Sequence, residues 1–478
     1  MGSADILSTL PELVLIATAL LLLVMESAAE PHRELLAATA LGGLAIALVT
    51  ALGYGADGLY YSGMLQVDPY ARFVSALALV LAALAIMVAV PYLRRTLEER
   101  GEYYSLMLFA TVGMLLMVKA QDLTMVFLGL ELLSIPLYVL AGFYRHRSSS
   151  NEAGLKYLLL GAFAAGFFLF GIALLYGSTG TTSYSGMAQA INSGTELSRV
   201  LTLAGFGLLL VGFAFKVALA PFHMYAPDVY EGAPTSMSAF LSTGPKLAGF
   251  ATLLKLIAVV FAGTMVHWWT AIWILAALTM TVGNLAALRQ DSLKRMLAYS
   301  SVAHAGYLAL AILVTNYDSG FAMLFYLTVY VLTTLAAFGI VSLLEEGEES
   351  AMPGVEACKG LARRNPWLAA AFTLALLSLA GFPPTAGFLG KFFLFNATLD
   401  AGYLWLVILA VLNSLVSVYY YLRPVVAMYM QPGKNTSALP IPRMLIPALL
   451  ALAVVALGAG FIPAPLVHAT ASAISAIL

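Results

Sequence analysis

The feature that most limits how this chain can fold is a succession of apolar runs, each long enough to cross a bilayer. A spanning helix needs about 20 such residues, because the hydrocarbon core is about 30 Å thick. The sequence predicts fourteen spans, near residues 9–26, 35–53, 70–93, 103–119, 123–144, 154–176, 200–226, 236–262, 267–288, 292–314, 319–344, 367–398, 402–430 and 443–462. A membrane barrel would show short alternating segments instead, so we predict an all-α polytopic membrane protein.

Composition agrees with this class and excludes several others. Of 478 residues, 62% are hydrophobic and 10% charged, whereas charged residues make up about a quarter of soluble domains. A net charge of −1 argues against nucleic acid as a partner. The single cysteine, Cys358, excludes an internal disulfide and a CxxC site, and the six histidines form no HExxH or CxxCH motif. We therefore expect no metal or redox cofactor in this chain.

The distribution of basic residues predicts the orientation. Lys and Arg are concentrated after odd-numbered spans, whereas the loops after even-numbered spans contain only Arg72, Lys119 and Arg199. By the positive-inside rule, the odd-numbered loops face the cytoplasm and both termini face outward. The first apolar run follows Asp5 rather than a positive charge, so we expect a retained span and not a signal peptide. Two longer polar segments, 177–199 and 345–365, are expected to be solvated connections.

The segment from 214 to 246 cannot be an ordinary span. An apolar helix reaches Lys216 and meets Pro221, and further prolines follow before a new apolar run that carries Lys246 near its middle. Each lysine at this depth costs about 2.5 to 3.5 kcal/mol, so it should face a bundle interior or a wet cavity. Proline also frees backbone carbonyls, which lipid cannot satisfy but a buried polar group can. We predict a broken seventh helix beside buried cations.

Residues 377–395 repeat this arrangement, with a glycine and proline interruption and Lys391 beside it. Five spans separate the two broken helices, the seventh and the twelfth, so they cross the membrane in opposite directions. This is typical of inverted-topology repeats that function at the interrupted helices. We predict a three-helix region at 1–98, two five-helix repeats at 99–265 (spans 4–8) and 266–432 (spans 9–13), and a last span within 433–478.

Other ionisable residues also fall at hydrocarbon depth. Glu131 lies about 12 Å into the fifth span, where function is favoured over a purely structural carboxylate. His304 lies about 18 Å into the tenth span and shares a helix face with Ser300 and Tyr307, at i, i+4 and i+7. A lone histidine is more often a hydrogen-bonded core residue, but one aligned in this way is a candidate for a proton relay.

Two further lysines are ambiguous. Lys255 lies nine residues after Lys246, on the opposite face and nearer the outer end, where snorkelling to the interface explains it about as well as function does. Lys156, a few residues into the sixth span, is either interfacial or a relay step. The groups in the full candidate set all exchange protons: Glu131, Lys156, Lys216, Lys246, Lys255, His304 and Lys391.

Three segments carry a resemblance to a known family: FKVALAPFHMYAPDVYEGAP (215–234), DSLKRMLAYSSVAHAGY (291–307) and LSLAGFPPTAGFLGKFFLF (377–395). They resemble subunit N of the proton-pumping NADH:quinone oxidoreductase, respiratory complex I, one of its antiporter-like membrane subunits. The resemblance implies two inverted five-helix repeats with broken seventh and twelfth helices. It also implies a place in the membrane arm, beside other complex I subunits in a bacterial inner membrane.

The same resemblance implies roles. Glu131 would modulate Lys216, Lys246 would be the central relay, and Lys391 would lead toward the outer exit. Tyr225 departs from the tryptophan usual in the family at that position. NADH, flavin, iron–sulfur clusters and quinone would be handled by partner subunits of the peripheral redox arm. This chain would then be a subunit without a redox centre that moves protons outward when electron transfer elsewhere drives it.

Three alternatives stay open at this stage. The closest is a subunit of a multisubunit sodium/proton antiporter, which resembles the same fold. Another is a subunit of a complex I relative that is fed by ferredoxin or a different donor. The third is a scaffold that translocates nothing, which is disfavoured because four charges near the midplane cost on the order of 10 to 14 kcal/mol.

Overall fold

The computed structural model describes residues 2–27, 33–53, 56–193, 195–345, 353–433 and 437–478. In that part of the chain, twelve helical segments are long and apolar enough to cross a membrane, and each corresponds to one of the fourteen predicted spans. The two predicted spans outside this set are the first, which has 17 residues, and the twelfth, which is split into two shorter helices. The chain is thus a multi-pass, all-helical membrane protein, while the count of fourteen stays a prediction.

The N-terminal region contains four helices and one hairpin: α1 (Ser3–Ser8), α2 (Leu10–Glu26), α3 (Arg33–Gly53), β1 (Gly58–Tyr60), β2 (Leu65–Val67) and α4 (Pro69–Arg95). The hairpin departs from the all-α prediction. Its strands are antiparallel, with Leu59 opposite Gln66, and the connecting turn includes Gly63 at a positive φ of 86°. Because it lies between two spans rather than within one, it does not alter the membrane-spanning architecture.

The next region contains seven helices: α5 (Gly101–Lys119), α6 (Leu123–Ala141), α7 (Ser148–Thr179), α8 (Tyr184–Ser193), α9 (Glu196–Lys216), α10 (Tyr225–Gly232) and α11 (Thr235–Leu256). Asp122 caps α6 by accepting a hydrogen bond from the Thr124 amide at 2.7 Å. Helix α8 lies in a segment predicted to be a solvated connection, and its buried Tyr184 and Met187 explain why it packs instead. The seventh span was predicted at 200–226, whereas α9 begins at Glu196 and ends at Lys216.

The remaining helices are α12 (Trp269–Leu288), α13 (Leu293–Val314), α14 (Tyr317–Leu344), α15 (Leu361–Arg364), α16 (Pro366–Ala380), α17 (Ala386–Asp400), α18 (Leu404–Met430), α19 (Ile446–Ala453), α20 (Ala459–Phe461) and α21 (Ala464–Ile474). Short 3₁₀ or π segments cover Ile257–Phe261, Ala262–His267, Val355–Cys358, Arg443–Leu445 and Val454–Gly458. Helix α15 and one 3₁₀ turn lie in the second segment predicted to be a solvated connection. Helix α21 was not predicted; it packs on α14, where a Cβ at Gly320 would lie 2.6 Å from Ile474 Cδ1.

Helices α11, α13 and α14 form the centre of the bundle. About nine-tenths of the apolar stretch of each is buried inside the protein, whereas α7 and α18 expose large side chains such as Phe163 and Trp405. A polar group on a central helix cannot reach lipid headgroups or water directly, so it needs a partner within the bundle. The candidate residues Lys246, Lys255 and His304 lie on these central helices.

Both predicted helix interruptions are present. Helix α9 ends at Lys216 and α10 begins at Tyr225, while α16 ends at Ala380 and α17 begins at Ala386. The Tyr225 hydroxyl donates to the Phe215 carbonyl at 3.0 Å, and Lys391 Nζ donates to the Ala380 carbonyl at 2.9 Å. Carbonyls freed by the breaks are therefore satisfied by buried polar side chains, which is the physical requirement for a broken helix at membrane depth.

Candidate functional site

Lys216 lies where α9 breaks, and its amine is turned toward α6. Nζ donates to Ser134 Oγ at 2.5 Å and lies 6.0 Å from the centre of the Tyr157 ring. The Ser134 hydroxyl in turn bonds to the Leu130 carbonyl one helical turn earlier. The amine is buried, and its polar partner is a hydroxyl rather than a carboxylate.

Glu131 lies on α6 one turn before Ser134, which brings it to the same part of the bundle as Lys216. Its Oε1 is buried and has no hydrogen-bond partner among the described residues. Since Lys216 donates to Ser134 instead, the carboxylate and the amine are neighbours without direct bonding. The residue as a whole is half-buried, so it also lies close to the surface of the chain.

Lys246 follows Pro245 in the middle of α11 and is fully buried. Its amine donates to the Ser301 hydroxyl on α13 and lies 5.7 Å from the centre of the Tyr230 ring. Tyr230 belongs to α10, the second half of the broken helix that begins after Lys216. The central lysine is therefore in contact with both a central helix and the interrupted one.

His304 lies at the centre of a cluster of hydroxyl groups. Its Nδ1 lies 2.5 Å from the Tyr326 hydroxyl of α14, and its Nε2 lies 3.0 Å from the Tyr421 hydroxyl of α18. Tyr421 also bonds to Ser300, one turn before His304 on α13. The face predicted to carry Ser300, His304 and Tyr307 thus points into the bundle, and α14 and α18 supply the partners of Ser300 and His304.

Lys391 lies on α17 beside the second break. In addition to the Ala380 carbonyl, its amine donates to Ser414 Oγ on α18 at 3.0 Å and lies 5.0 Å from the centre of the Tyr307 ring. The Tyr307 hydroxyl accepts a hydrogen bond from Asn284 at 3.1 Å. Polar contacts therefore surround the space between His304 and Lys391.

The three lysines share a binding pattern that was not predicted. Each amine donates to a serine hydroxyl on another helix, namely Ser134, Ser301 or Ser414. Serines on apolar spans are visible in the sequence, and Ser301 adjoins the predicted Ser300. Helical periodicity alone, however, does not reveal which helices face each other, so the pairing could not be found without the structure.

Lys156 lies apart from the row of serine-bound lysines, which consists of Lys216, Lys246 and Lys391. Its side chain is 41% exposed and pairs with Glu152 at 2.7 Å and with Asp228 at 2.8 Å. Arg295 contacts the other Asp228 oxygen at 2.9 Å and Glu231 at 2.8 Å. The structure thus places Lys156 in a partly solvated cluster of five charges.

Lys255 is buried in the bundle, and its amine points to groups near the ends of two other helices. Its amine donates to the Val118 carbonyl at 3.4 Å and lies 3.9 Å from Asp68 Oδ2. Asp68 is the N-cap residue of α4, far away in sequence, which is why the pair could not be anticipated. The contact lies away from the serine-bound lysines.

A second group of buried charges lies at or near the ends of predicted spans, where the sequence did not single them out. Lys294 is buried and donates to the Ala233 carbonyl at 2.7 Å, and Glu345 is buried at the end of α14. A further buried pair joins Lys119 to Glu12 at 2.7 Å. Charged residues are common near the ends of spans, whether their side chains are solvated or covered by other helices. The sequence alone could not distinguish these two cases.

The candidate residues do not form a metal site. Among the described residues, no group of three or more His, Cys, Asp or Glu side chains is arranged to hold a metal ion. The chemistry available to the row is proton exchange, because amine, imidazole, carboxyl and hydroxyl groups all gain or lose protons without an added cofactor.

Comparison with known proteins gives the family. The transmembrane family described as NADH:quinone oxidoreductase/Mrp antiporter matches residues 120–417. A NADH-quinone oxidoreductase subunit N from Trichlorobacter lovleyi is 47% identical over 431 residues, which cover 89% of this chain and 88% of that protein.

Solved structures agree. A chain of respiratory complex I from Thermus thermophilus, with bound Aureothin, is 37% identical with a TM-score of 0.81, and the match covers 97% of this chain and 99% of that one. A chain of the Mrp complex from Dietzia sp. has a TM-score of 0.85 over 100% of this chain and 98% of its own, but its 20% identity shows the fold alone. This chain therefore belongs to the NADH:quinone oxidoreductase/Mrp antiporter family, among its NADH-quinone oxidoreductase subunit N members.

Proposed function

We propose that this chain is a membrane-arm subunit of a NADH:quinone oxidoreductase and translocates protons outward across a bacterial inner membrane. Electron transfer through NADH, flavin, iron–sulfur clusters and quinone in partner subunits of the complex drives the transport. Both termini lie on the outer side. The observation that carries the proposal is the row of three buried lysines, each hydrogen-bonded to a serine hydroxyl on another helix.

Lys216 is the first carrier, and Glu131 modulates it. Charge on the unpartnered Glu131 carboxylate favours the ammonium form of the nearby amine, and neutralising or moving that carboxylate favours release of the proton. Moving an opposite charge toward or away from an amine changes its proton affinity by about 1.4 to 4 kcal/mol. Moving one charge through 100 mV takes about 2.3 kcal/mol, so a shift of one carboxylate is sufficient in size.

Lys246 is the central carrier, and the His304 cluster connects it with Lys391. A serine or tyrosine hydroxyl both accepts and donates, so each one can pass a proton between an amine and an imidazole. Ser301 lies at the Lys246 amine and adjoins Ser300, which shares Tyr421 with His304. Lys391 then leads toward the outer side. Lys156 and Lys255 are not required carriers in this scheme, since each is already paired with a carboxylate.

We further propose that residues 99–265 and 266–432 are inverted repeats, preceded by a three-helix region at 1–98 and followed by a last span within 433–478. The interruptions after Lys216 and after Ala380 support this division, since each falls in the fourth span of its repeat. In each repeat, one lysine adjoins the break: Lys216 in the first and Lys391 in the second.

The antiporter and the alternative-donor complex are less well supported. The Mrp chain matches in fold at 20% identity, whereas proteins named subunit N match at 47% and 45% identity. Electron donor and quinone type are properties of partner subunits, and a sodium requirement for proton transport would favour the antiporter function.

The proposal is tested by replacing the lysines in the assembled complex. Lys216→Met and Lys246→Met keep the apolar stem and remove the amine, so NADH-driven acidification of inverted membrane vesicles should fall by about tenfold or more. Lys359→Met is the matched control, because Lys359 lies in a connection outside the spans and pairs with Glu356. Native gels report the amount of assembled complex. Normal acidification by either buried variant, at normal assembly, would refute the proposal.

A further inference from the structure

A buried carboxylate that the row above does not use lies directly after α14. Glu345 is 7% exposed. Its oxygens accept hydrogen bonds from Thr235 Oγ1 at 2.5 Å, from the Tyr92 hydroxyl at 3.2 Å and from Arg147 Nη1 at 3.4 Å. Three separate parts of the chain therefore converge on one carboxyl group at the end of the bundle where α11 begins.

The surroundings of Glu345 keep it ionised. Burial opposes ionisation, but Lys294, the Thr235 hydroxyl and Arg147 together hold the pKa of the Glu345 carboxyl below its ordinary value. Lys294 donates to the Ala233 carbonyl, two residues before Thr235. The resting form of Glu345 is therefore the carboxylate, which binds a proton only transiently at neutral pH and then passes it on.

Thr235 begins a face of α11 that leads from Glu345 to Lys246. Thr235, Ser238, Ser242 and Lys246 follow at i, i+3, i+7 and i+11, so they lie along one side of the helix. All four side chains are fully buried. At 1.5 Å per residue the face is about 16 Å long, which takes it from the end of the bundle to the depth of the central lysine.

The hydroxyl groups on this face are spaced for proton transfer through intervening water. Successive positions are about 4.5 to 6 Å apart along the helix axis, a gap that one bridging water can close. Ser238 donates to the Tyr230 carbonyl at 2.6 Å and Ser242 to the Ala239 carbonyl at 3.0 Å. The hydroxyl oxygens therefore keep their lone pairs available for an incoming proton.

We propose that Glu345 takes up protons from the aqueous side and delivers them to Lys246 along the hydroxyl face of α11. This inference rests on the proposed function, in which Lys246 carries protons. A proton from water binds a Glu345 oxygen and moves to the Thr235 hydroxyl, which releases its own proton to the next group. The last transfer converts the neutral Lys246 amine to an ammonium. Only O–H and N–H bonds form and break, so no oxidant or reductant takes part.

The test replaces Glu345 by a residue that keeps the hydrogen bonds but carries no exchangeable acid. In Glu345→Gln, the amide oxygen replaces the oxygen that accepts from Tyr92 and Arg147, and the amide NH₂ donates to the Thr235 hydroxyl, so the fold should persist. NADH-driven acidification of vesicles containing the assembled complex should fall by about tenfold. Adding formate or azide, small weak acids that deliver protons to buried groups, should restore most of it. Glu356→Gln, which changes an exposed carboxylate in the connection after α14, should behave as wild type.

Each outcome decides the inference. Normal acidification by Glu345→Gln would overturn it. A loss that weak acids do not restore, or that accompanies poor assembly, would assign Glu345 a structural role and would also overturn the inference. In that case Glu345→Asp, which keeps the acid but shortens the side chain, should also fail to pump. Lys246→Met in the same vesicles separates the two proposals. If that variant also pumps normally, the proposed function itself fails, whereas a loss confined to Lys246→Met refutes Glu345 alone.

Discussion

At the scale of single residues, the lysines of the row are held by hydroxyls and not by carboxylates. Elsewhere in the bundle a buried amine pairs with a carboxylate, as Lys119 does with Glu12 at 2.7 Å. Ser134, Ser301 and Ser414 accept a hydrogen bond from a lysine in either of its protonation states. The three amines of the row therefore have uncharged polar partners, whereas Lys119 and Lys156 have carboxylates.

Tyr225→Phe tests the hydroxyl that satisfies the first broken helix. Without it, the Phe215 carbonyl keeps the Ala218 amide as a donor but the Lys216 carbonyl loses its 3.5 Å contact, which should lower stability by about 0.5 to 1.5 kcal/mol and loosen the end of α9 at Lys216. Thermal unfolding of the purified complex measures the loss, and Tyr419→Phe on the exposed face of α18 is the control. Identical unfolding of the two variants would contradict this account.

The residues that could be predicted are those whose burial follows from their position near the middle of an apolar span. Lys216, Lys246, His304 and Lys391 stand out because apolar residues surround them over a full span. Glu345 could not be recognised, because it follows a span and is the first residue of an acidic run, EEGEE, that looks solvated. Its burial depends on Tyr92, Arg147 and Thr235, which come from three distant parts of the chain.

At the scale of helices, the position of Glu131 depends on how closely α5 and α6 approach. A Cβ at Gly113 of α5 would lie 2.4 Å from the Leu133 amide nitrogen, and a Cβ at Gly129 of α6 would lie 2.9 Å from the Met117 amide nitrogen. The two backbones meet only because both positions lack a side chain. This contact fixes the turns of α6 that carry Glu131 and Ser134.

Gly113→Ala should therefore disturb the site without altering any of its polar groups. The added methyl group has to push α6 away, so we expect a loss of about 1 to 3 kcal/mol in stability and reduced proton pumping per assembled complex. Gly166→Ala on α7 makes the same change in a helix with open space at the Cβ position, and it should be neutral. Equal effects of the two substitutions would argue against the packing explanation.

Elements were predictable where hydrophobic length decides them. The long spans and the two broken helices follow from apolar runs and from prolines. The β-hairpin, α8 and α21 were missed, since short elements depend on tertiary packing. Helix α21, for example, is placed by contact with α14 at Gly320. Neither length nor periodicity contains that information.

At the scale of the whole molecule, the basic residues lie mostly at one end of the bundle. The resulting orientation is a proposal, and the protein is well suited to a labelling test. Its only cysteine, Cys358, is fully buried, so the native thiol should not react with a membrane-impermeant reagent. Introduced cysteines can then report on each side of the membrane separately.

Ser149→Cys and Ser185→Cys each introduce a thiol at an exposed position near one end of α7: Ser149 lies in its first turn and Ser185 lies in α8, just beyond its last turn. An impermeant maleimide added to intact cells with a permeabilised outer membrane should label Ser185→Cys, on the outer side. In inverted vesicles it should label Ser149→Cys. The unsubstituted chain should stay unlabelled in both preparations. The opposite pattern would reverse the proposed orientation of the termini.

The serine contacts of Lys216, Lys246 and Lys391 have a consequence for the direction of transport. A hydroxyl passes a proton equally well in either direction, so these serine contacts do not themselves set the direction of transport. Direction has to be imposed by the machinery to which the row is coupled. If that machinery were idle and a steep proton gradient were applied from the outer side, the same amines would conduct protons inward. Tight coupling to the partner subunits is what prevents such a proton leak.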